Sequence, residues 1–233
     1  MIWGIFQNIC FKGGWIKPQF MVMKLITEPY KTQSLVWPVS GRHILAQFDD
    51  ETIVVYQAFR PSAGRYAAEN GFFAKDFSYS RMSWIKPNFL WMMYRSSWGT
   101  KDAQETTLAI RLRRNFFDGL LAQAVASIWE PSEFETEDEW SLALKSSCVR
   151  VQWDPDHDPH GAKVARRAIQ LGLKGHALKC YGQKEPLQIT DISDFVSDQR
   201  QRLKHCGISA LETPQERVYI PSDPKIAKRL QIS

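Results

Sequence analysis

The sequence predicts an α+β domain with a mixed, mostly antiparallel sheet and helices packed on it. Hydrophobic residues make up 44% and charged residues 24% of the 233 residues, which is close to the averages for globular chains. Short β-branched and aromatic runs bounded by turn residues predict strands. Segments with helical apolar spacing fall between them without the steady alternation of a doubly wound sheet, which favours the α+β class.

The first predicted elements are a strand, a turn and a strand between His43 and Phe59, with Asp49, Asp50 and Glu51 in the turn. Pro61 fits the first turn of a helix, and Asn70-Gly71 fits its end, because glycine adopts the left-handed conformation that commonly follows a helix. The same criteria predict a strand over residues 79–86 and a short helix over residues 87–95. They then predict a strand over residues 106–112 and a longer helix over residues 115–129.

The second half of the chain begins with an acidic run. Residues 130–139 contain six acidic residues and no basic one, which is typical of a solvated loop. Asp191 is expected to cap a helix that runs to Cys206, with Gly207 as its stop. The remaining predictions are strands over residues 148–153, 168–173 and 187–190 and a polar loop over residues 154–161.

Composition divides the chain into three segments. Residues 1–22 contain no acidic residue and differ in composition from the rest of the chain, so we expect an upstream extension outside the fold, with Met23 as the natural start. The alternative is a hydrophobic arm that packs on the domain. Residues 23–210 are expected to form one domain, and residues 211–233, with three prolines and a basic end, a loosely held tail.

Charge and cysteine content exclude some classes of protein. The net charge of +5 permits an anionic partner, and residues 81–114 carry seven basic and two acidic residues. The four cysteines fit no zinc spacing and indicate free thiols in a reducing, cytoplasmic compartment. No apolar stretch is long enough for a membrane span, so no membrane partner is expected. The phosphate-loop, dinucleotide-loop, metalloprotease and serine-hydrolase motifs are missing. Oligomeric state is left open.

The segment from Tyr79 to Glu105 is the densest in aromatic and basic residues. Aromatic rings can stack on a nucleotide base, and guanidinium groups can bind phosphate. The alternative is that Trp84, Trp91 and Trp98 are core residues. Because Pro87 breaks the segment, these three tryptophans cannot share one helix. We expect Arg81 and Arg95 to face a shared cleft. The ligand-binding candidates are Arg81, Trp84, Lys86, Trp91, Arg95, Trp98, Lys101, Gln104 and Gln152.

Several long motifs resemble one family. They are VYQAFRP (55–61), SRMSWIKPNFLWMMYRSSWGTK (80–101), VQWDP (151–155), RRAIQLGL (166–173) and ITDIS (189–193). They look like the signatures of a microbial and fungal family catalogued as a domain of unknown function, family 4291. The resemblance covers nearly all of the expected domain and brings no stated activity.

A more distant resemblance is to ADP-ribosyltransferases, which place an Arg or His with a Tyr on an early strand and a glutamate on a later one. Tyr56 and Arg60 match the first position, and Gln104-Glu105 the last. The resemblance implies that Glu105, Arg60 and Tyr56 are the catalytic residues, with Glu105 as the carboxylate and Arg60 on a pyrophosphate, and that NAD is the cofactor. The chain departs from the pattern because Gln104 and Glu105 are adjacent, and adjacent strand residues point to opposite faces. The alternative for Glu105 is a surface carboxylate near Lys101.

The segment Asp154–His160 holds three carboxylates and two imidazoles, groups that can bind a divalent ion. Because prolines and acids are common in plain turns, we assign it no metal and expect His157 and His160 to be solvent-exposed.

The sequence therefore predicts an enzyme that acts on a nucleotide-containing ligand, with ADP-ribosyl transfer from NAD to a nucleic acid or small acceptor as its specific form. The first alternative is a non-catalytic module that binds nucleic acid through the same basic and aromatic surface. The second is a hydrolytic or metal-assisted enzyme built on the Asp154–His160 segment.

Overall fold

The computed structural model describes residues 25–131 and 133–233 and has the α+β architecture that the sequence predicts. The expectation for residues 1–22 lies outside the described residues. The strands are β1 (Thr27–Pro29), β2 (Gly41–Arg42), β3 (Ile44–Ala46), β4 (Thr52–Phe59), β5 (Ser83–Ile85), β6 (Thr106–Arg113), β7 (Val125–Ala126), β8 (Val149–His157), β9 (Lys163–Leu173), β10 (Gln188–Asp191), β11 (Glu212–Pro214) and β12 (Arg217–Tyr219). The helices are α1 (Tyr30–Ser34), α2 (Pro61–Asn70), α3 (Phe89–Ser96), α4 (Arg114–Gln123), α5 (Glu137–Ser146), α6 (Gly175–Gln183), α7 (Ser193–Cys206) and α8 (Pro224–Arg229), with a 3₁₀ turn at Ile208–Ala210.

A three-stranded antiparallel sheet, in the order β10-β6-β4, forms one half of the domain. Its longest pairing runs from Thr52 opposite Arg113 to Phe59 opposite Thr106. Both faces of β4 are covered, because Val55 belongs to one apolar cluster and Tyr56 to another on the opposite side. Burial on both faces explains why the apolar residues of β4 form a continuous run rather than an alternating one.

The second sheet is built around the antiparallel pair β8 and β9. β7 extends it beyond β8, while β2 and β5 both pair with β9 on its other side. Val151, Ile169 and Leu171 point into the apolar cluster that contains Val55, which is the larger of the two. The intervening residues of the same strands therefore point the other way.

One backbone bridge joins the two sheets. The amide N–H of Tyr56 on β4 donates to the carbonyl of Lys86 at 2.7 Å, and the N–H of Lys86 donates back at 3.2 Å. Lys86 directly follows β5, so the end of β5 is fixed to the middle of β4.

The C-terminal residues are integrated into the fold, which differs from the expected loose tail. β11 pairs with β1, and β12 pairs with β3. Tyr219 is fully buried, and its hydroxyl donates to Asp118 at 2.6 Å. Three prolines in this segment indicated loose structure, but Pro214 ends β11, Pro224 starts α8 and Pro221 lies in the short connection between β12 and α8.

Several predicted boundaries are confirmed. α2 begins at Pro61, and Gly71 follows it with a φ of 78°. α7 ends before Gly207, which has a φ of 73°, and Asp191 Oδ1 accepts from the N–H of Ser193 at its start. The three tryptophans at 84, 91 and 98 lie on β5, on α3 and after α3, so no single helix carries them.

Other predicted elements differ from the structure. The helix expected over 115–129 ends at Gln123, and β7 follows. The acidic run is partly helical, because Thr136 and Glu139 form a capping box that starts α5. β8 extends through the expected polar loop to His157, and the strand expected from residue 79 is confined to Ser83–Ile85. Within residues 25–131 and 133–233, no helix is long and apolar enough to cross a membrane.

Candidate functional site

A cleft of about 310 Å³ lies where β4 ends and α2 begins. Arg60 connects these two elements, and its extended backbone conformation, with φ −59° and ψ 149°, turns the chain into the helix. Arg81 comes from the loop that leads into β5, and Gln104 from the loop that leads into β6. The fold thus brings together three of the residues that the sequence singled out.

The two arginines of this cleft outnumber its carboxylates and make no ion pair among the described residues. Both are exposed, and neither guanidinium has an ion pair or hydrogen bond among the described residues. The one carboxylate that lines the cleft, on Asp76, accepts a hydrogen bond from the Ser62 hydroxyl. Like charges that share a concave surface raise the local positive potential, which favours binding of an anion.

Aromatic rings form the apolar part of the cleft. Phe59 and Phe77 line it, and their ring centroids are 5.7 Å apart. Phe73 packs against both. A site with an apolar floor and a few charged groups is typical of small-molecule pockets.

Glu105 lies at the border of the same cleft. Its Oε1 accepts from the backbone N–H of Ala103, a cleft residue, at 3.1 Å. Its Oε2 is buried and has no hydrogen-bond partner in the described part of the chain. Lys101 is exposed and makes no ion pair with Glu105 in the described structure, so the alternative of a surface ion pair is not the arrangement found.

Tyr56 is placed in the core and does not line the cleft. It is fully buried, its ring packs edge-to-face on Phe89, and its hydroxyl has no described partner. Burial raises the pKa of the Tyr56 hydroxyl well above its usual value.

A second group of polar residues lies on the face of β5, β9 and β8 that points away from the larger apolar cluster. We call it the polar face; its members are Trp84, Lys86, Arg150, Gln152, Asp154 and Gln170. Gln152 lies directly opposite Gln170 in the sheet. The amides of Gln152 and Gln170 donate to the two oxygens of Asp154, at 3.0 and 2.7 Å. Asp154 is therefore held in one orientation.

Lys86 is the most buried member of the polar face, with 5% of its surface exposed. Burial, and after it the charge of Arg95, lowers the pKa of its amine from 10.5 to about 7, while Asp154 acts in the opposite direction. Its Nζ makes one weak hydrogen bond among the described residues, to the carbonyl of Trp84 at 3.4 Å. The amine is thus poorly neutralised in spite of its burial.

Trp84 packs closely against Gly172 of β9. A Cβ at Gly172 would be 2.9 Å from the indole ring and 2.7 Å from Met82 Sδ. Met82 also lines the cleft that contains Arg60 and Arg81, which we call the arginine cleft. The polar face and the arginine cleft therefore adjoin each other at this side chain.

The other aromatic candidates have structural contacts. Trp91 is buried and stacks with Tyr94 and with His157, at centroid distances of 5.4 and 5.1 Å. Trp98 packs edge-to-face on Phe89, and its indole N–H donates to the carbonyl of Pro159. Both fit the core-packing alternative.

The expected sharing of one cleft by Arg81 and Arg95 is not the arrangement found. Arg81 lines the cleft with Arg60, whereas Arg95, on α3, acts on Lys86 and is not a lining residue of that cleft. The cause is the change of element between them: Arg81 precedes β5, and Arg95 lies on the last turn of α3.

The acidic and imidazole side chains of the Asp154–His160 segment do not form one group, because β8 contains the first half of the segment. Asp156 is buried and pairs with Arg166, with 2.6 Å between oxygen and nitrogen. His157 is buried against Tyr94, which corrects the expected exposure, while His160 is exposed. Burial lowers the pKa of His157. No group of three or more potential metal ligands occurs among the described residues.

Sequence reasoning missed Asp154 and Gln170 as members of the polar face that contains Lys86. The sequence signal for these two residues was the alternation of side chains in the motifs VQWDP and RRAIQLGL. Alternate residues of a strand share a face, so Gln152, Asp154 and Gln170 all lie on the outer face once the two strands are paired.

Comparison with known proteins adds one finding. A search of curated proteins gives no match. A family model described as a domain of unknown function, DUF4291, matches residues 43–219, which include both the arginine cleft and the polar face. The chain belongs to this family of domains of unknown function.

Proposed function

We propose that the protein is an enzyme that acts on a nucleotide-containing ligand, and that the cleft between Arg60 and Arg81 binds the ligand's phosphate groups. The observation that carries this proposal is two exposed arginines, unpaired among the described residues, on one cleft of about 310 Å³. Guanidinium groups bind phosphate through two parallel hydrogen bonds. An anion between them would also relieve their mutual repulsion.

The remainder of the cleft suits the other parts of a nucleotide. Phe59 and Phe77 offer an apolar surface for a base or ribose, and Gln104 and Ser78 offer polar groups for hydroxyls. The specific form of the proposal is ADP-ribosyl transfer from NAD. In that reaction the bond between nicotinamide and ribose breaks, and a carboxylate stabilises the cationic sugar. Glu105, with one oxygen free of described partners beside the cleft, is the candidate for this role.

Calorimetric titration tests the phosphate site. ADP and ADP-ribose should bind the full chain, and adenosine should bind more weakly because it has no phosphate. Replacing Arg60 or Arg81 with Ala should weaken ADP binding by roughly tenfold or more, since a charge-assisted hydrogen bond contributes about 1.5–3 kcal/mol. Arg65→Ala is the matched control, because Arg65 is exposed on α2 and does not line the cleft. Equal binding by all variants would contradict the proposal.

The second candidate function is a non-catalytic nucleic-acid-binding module. It is favoured by exposed cations outside the cleft, at Arg95 and Lys101. A module of this kind loses affinity for an oligonucleotide steeply as salt rises, because its binding releases counterions. A shallow salt dependence together with saturable ADP binding would favour the enzyme.

A further inference from the structure

We propose that Lys86 is a nucleophilic amine that forms an imine with the aldehyde or ketone group of an anionic substrate. The inference does not rest on the function proposed above, because it uses the polar face and neither Arg60, Arg81 nor Glu105. Three observations support it: the position of Lys86, the charges around its amine and the nearby side chains that could bind an anion.

The position of Lys86 is fixed by its backbone. Both of its backbone groups pair with Tyr56, and its side chain points to the same side of the sheet as Trp84. Lys86 itself is 5% exposed, but Gln152, Asp154 and Gln170 beside it are half-buried and Arg95 is exposed. The amine is therefore buried, but the side chains beside it are partly exposed to solvent.

The charges around Lys86 favour its neutral form. Arg95 reaches it from α3, and the carboxylate of Asp154 comes from β8. Within the described structure no ion pair joins Lys86 to Asp154, whose oxygens are both occupied by the amides of Gln152 and Gln170. Burial and the neighbouring cation lower the pKa of the amine to about 7, so a substantial fraction is unprotonated at neutral pH. Desolvation next to a second cation is a recognised way to activate lysine as a nucleophile towards carbonyl compounds.

The substrate is expected to carry a phosphate or a carboxylate. Arg95 has no ion pair or hydrogen bond among the described residues. The Nε of Arg150, on the polar face, is buried and lacks a hydrogen-bond partner in the described part. An unsatisfied buried donor is costly, and an anion that accepts from it would remove that cost.

The proposed step is a condensation. The lone pair of neutral Nζ attacks the carbonyl carbon, the C=O π electrons move to oxygen, and a proton passes from nitrogen to that oxygen to give a carbinolamine. The oxygen then takes up a second proton and leaves as water while nitrogen forms the C=N bond. Asp154 is the polar-face carboxylate whose charge acts on the amine, so it is the candidate to accept and return the proton.

Borohydride trapping tests this proposal on the full chain. The protein is incubated with pyridoxal 5′-phosphate, an aldehyde that bears a phosphate, and reduced with sodium borohydride, which delivers hydride to the imine carbon. Peptide mass spectrometry then locates the label. Lys86 should carry most of it at low reagent concentration, with a labelling midpoint near pH 7. Pyridoxal, which lacks the phosphate, should label Lys86 several-fold less. A parallel incubation with pyruvate and borohydride tests whether a carboxylate can replace the phosphate.

Variants make the result specific. Lys86→Met should remove at least nine-tenths of the label, and Arg95→Met should reduce it because the anion loses a partner. Lys204→Met, at an exposed lysine of α7 outside the polar face, should leave the label unchanged. Label that is spread over exposed lysines with Lys86 unmodified would overturn the proposal. That map is read on the wild-type chain, so it decides the question even where Lys86→Met does not fold.

Discussion

At the scale of single residues, burial has given Lys86 and Glu105 different chemistry. Lys86 is surrounded by protein and by another cation, so its charged form is disfavoured. Glu105 keeps one oxygen bonded to a backbone N–H and the other without a described partner. Both side chains therefore keep polar atoms that the described residues satisfy only in part.

The free energy of unfolding should depend on pH through Lys86. Its pKa falls from 10.5 to about 7 on folding, so between these values the unfolded chain holds a proton that the folded chain has released. Stability therefore rises with pH across that range, by at most about 1.4 kcal/mol per pH unit. Below pH 7 both states are protonated and the full penalty of the buried charge remains. Lys86→Met, which removes the charge, should stabilise the protein most at pH 6.

Urea unfolding of wild type and Lys86→Met at pH 6, 7.5 and 9 measures this effect. The stability advantage of the variant should shrink steadily across the series. Using the difference between the two proteins cancels the titration of every other group. A difference that does not change with pH would show that the amine keeps its ordinary pKa.

Glu105→Gln tests the carboxylate without changing its shape. The amide oxygen can still accept from the N–H of Ala103, so the loop should be preserved. If Glu105 stabilises a cationic sugar, release of nicotinamide from NAD should fall by two or more orders of magnitude, about the effect of losing one preorganised electrostatic group. ADP binding should change little. Unaltered nicotinamide release in the variant would remove Glu105 from the mechanism.

At the scale of elements, the close approach of β5 to β9 depends on Gly172. A methyl group there would come within 3 Å of Trp84 and Met82, so both side chains would have to move. Gly172→Ala should lower the free energy of unfolding by roughly 1–3 kcal/mol, the usual cost of overpacking. It should also alter the fluorescence of Trp84.

Gly119→Ala is the matched control for that substitution. Gly119 lies inside α4, and no atom of the described residues is within 4 Å of a Cβ placed on it. Alanine is favoured over glycine in a helix interior by roughly 0.5–1 kcal/mol, so this variant should be more stable than wild type. Opposite signs for the two variants in chemical unfolding are the expected result, and equal effects would contradict the packing argument.

The elements that sequence predicts well are those with local signals at their ends. Pro61 and Gly71 mark the limits of α2, and Gly207 marks the end of α7. The end of α4 has no such residue: Ala124 is extended, and β7 begins because Val125 pairs with Arg150 of β8. β8 likewise continues past Asp154 because two residues of β9, Gln170 and Arg166, bind the carboxylates of Asp154 and Asp156.

At the scale of the whole molecule, the C-terminal segment connects separate parts of the domain. Glu216 accepts from the N–H of Phe89 at 2.6 Å, at the start of α3, and burial raises its pKa well above the usual value. Tyr219 bonds to Asp118 of α4. Truncation after Ala210 should therefore unfold the protein or lower its melting temperature by well over 10 °C.

Thermal unfolding of the truncated chain checks this expectation. The double variant Lys225→Ala and Lys228→Ala, at exposed positions of α8, should melt as wild type does. A truncated chain with an unchanged melting temperature would restore the interpretation of a loosely held tail.

The candidate sites were predictable as a set of residues and not as a grouping. Arg60, Arg81 and Gln104 were each singled out, but their common cleft depends on three loops meeting at the end of β4. Lys86 and Gln152 were also singled out, and their common face follows from strand pairing between distant segments. Residue type shows which side chains are suited to an anion, whereas long-range register decides which of them meet.

The bridge between Tyr56 and Lys86 has a consequence for how the domain opens. These two amide protons lie where the sheets join, so in hydrogen–deuterium exchange they report on separation of the halves rather than on fraying of either one. A ligand that spans the cleft and the polar face would slow exchange at both amides together. A ligand held by one of the two sites alone would leave this junction exchanging at its original rate.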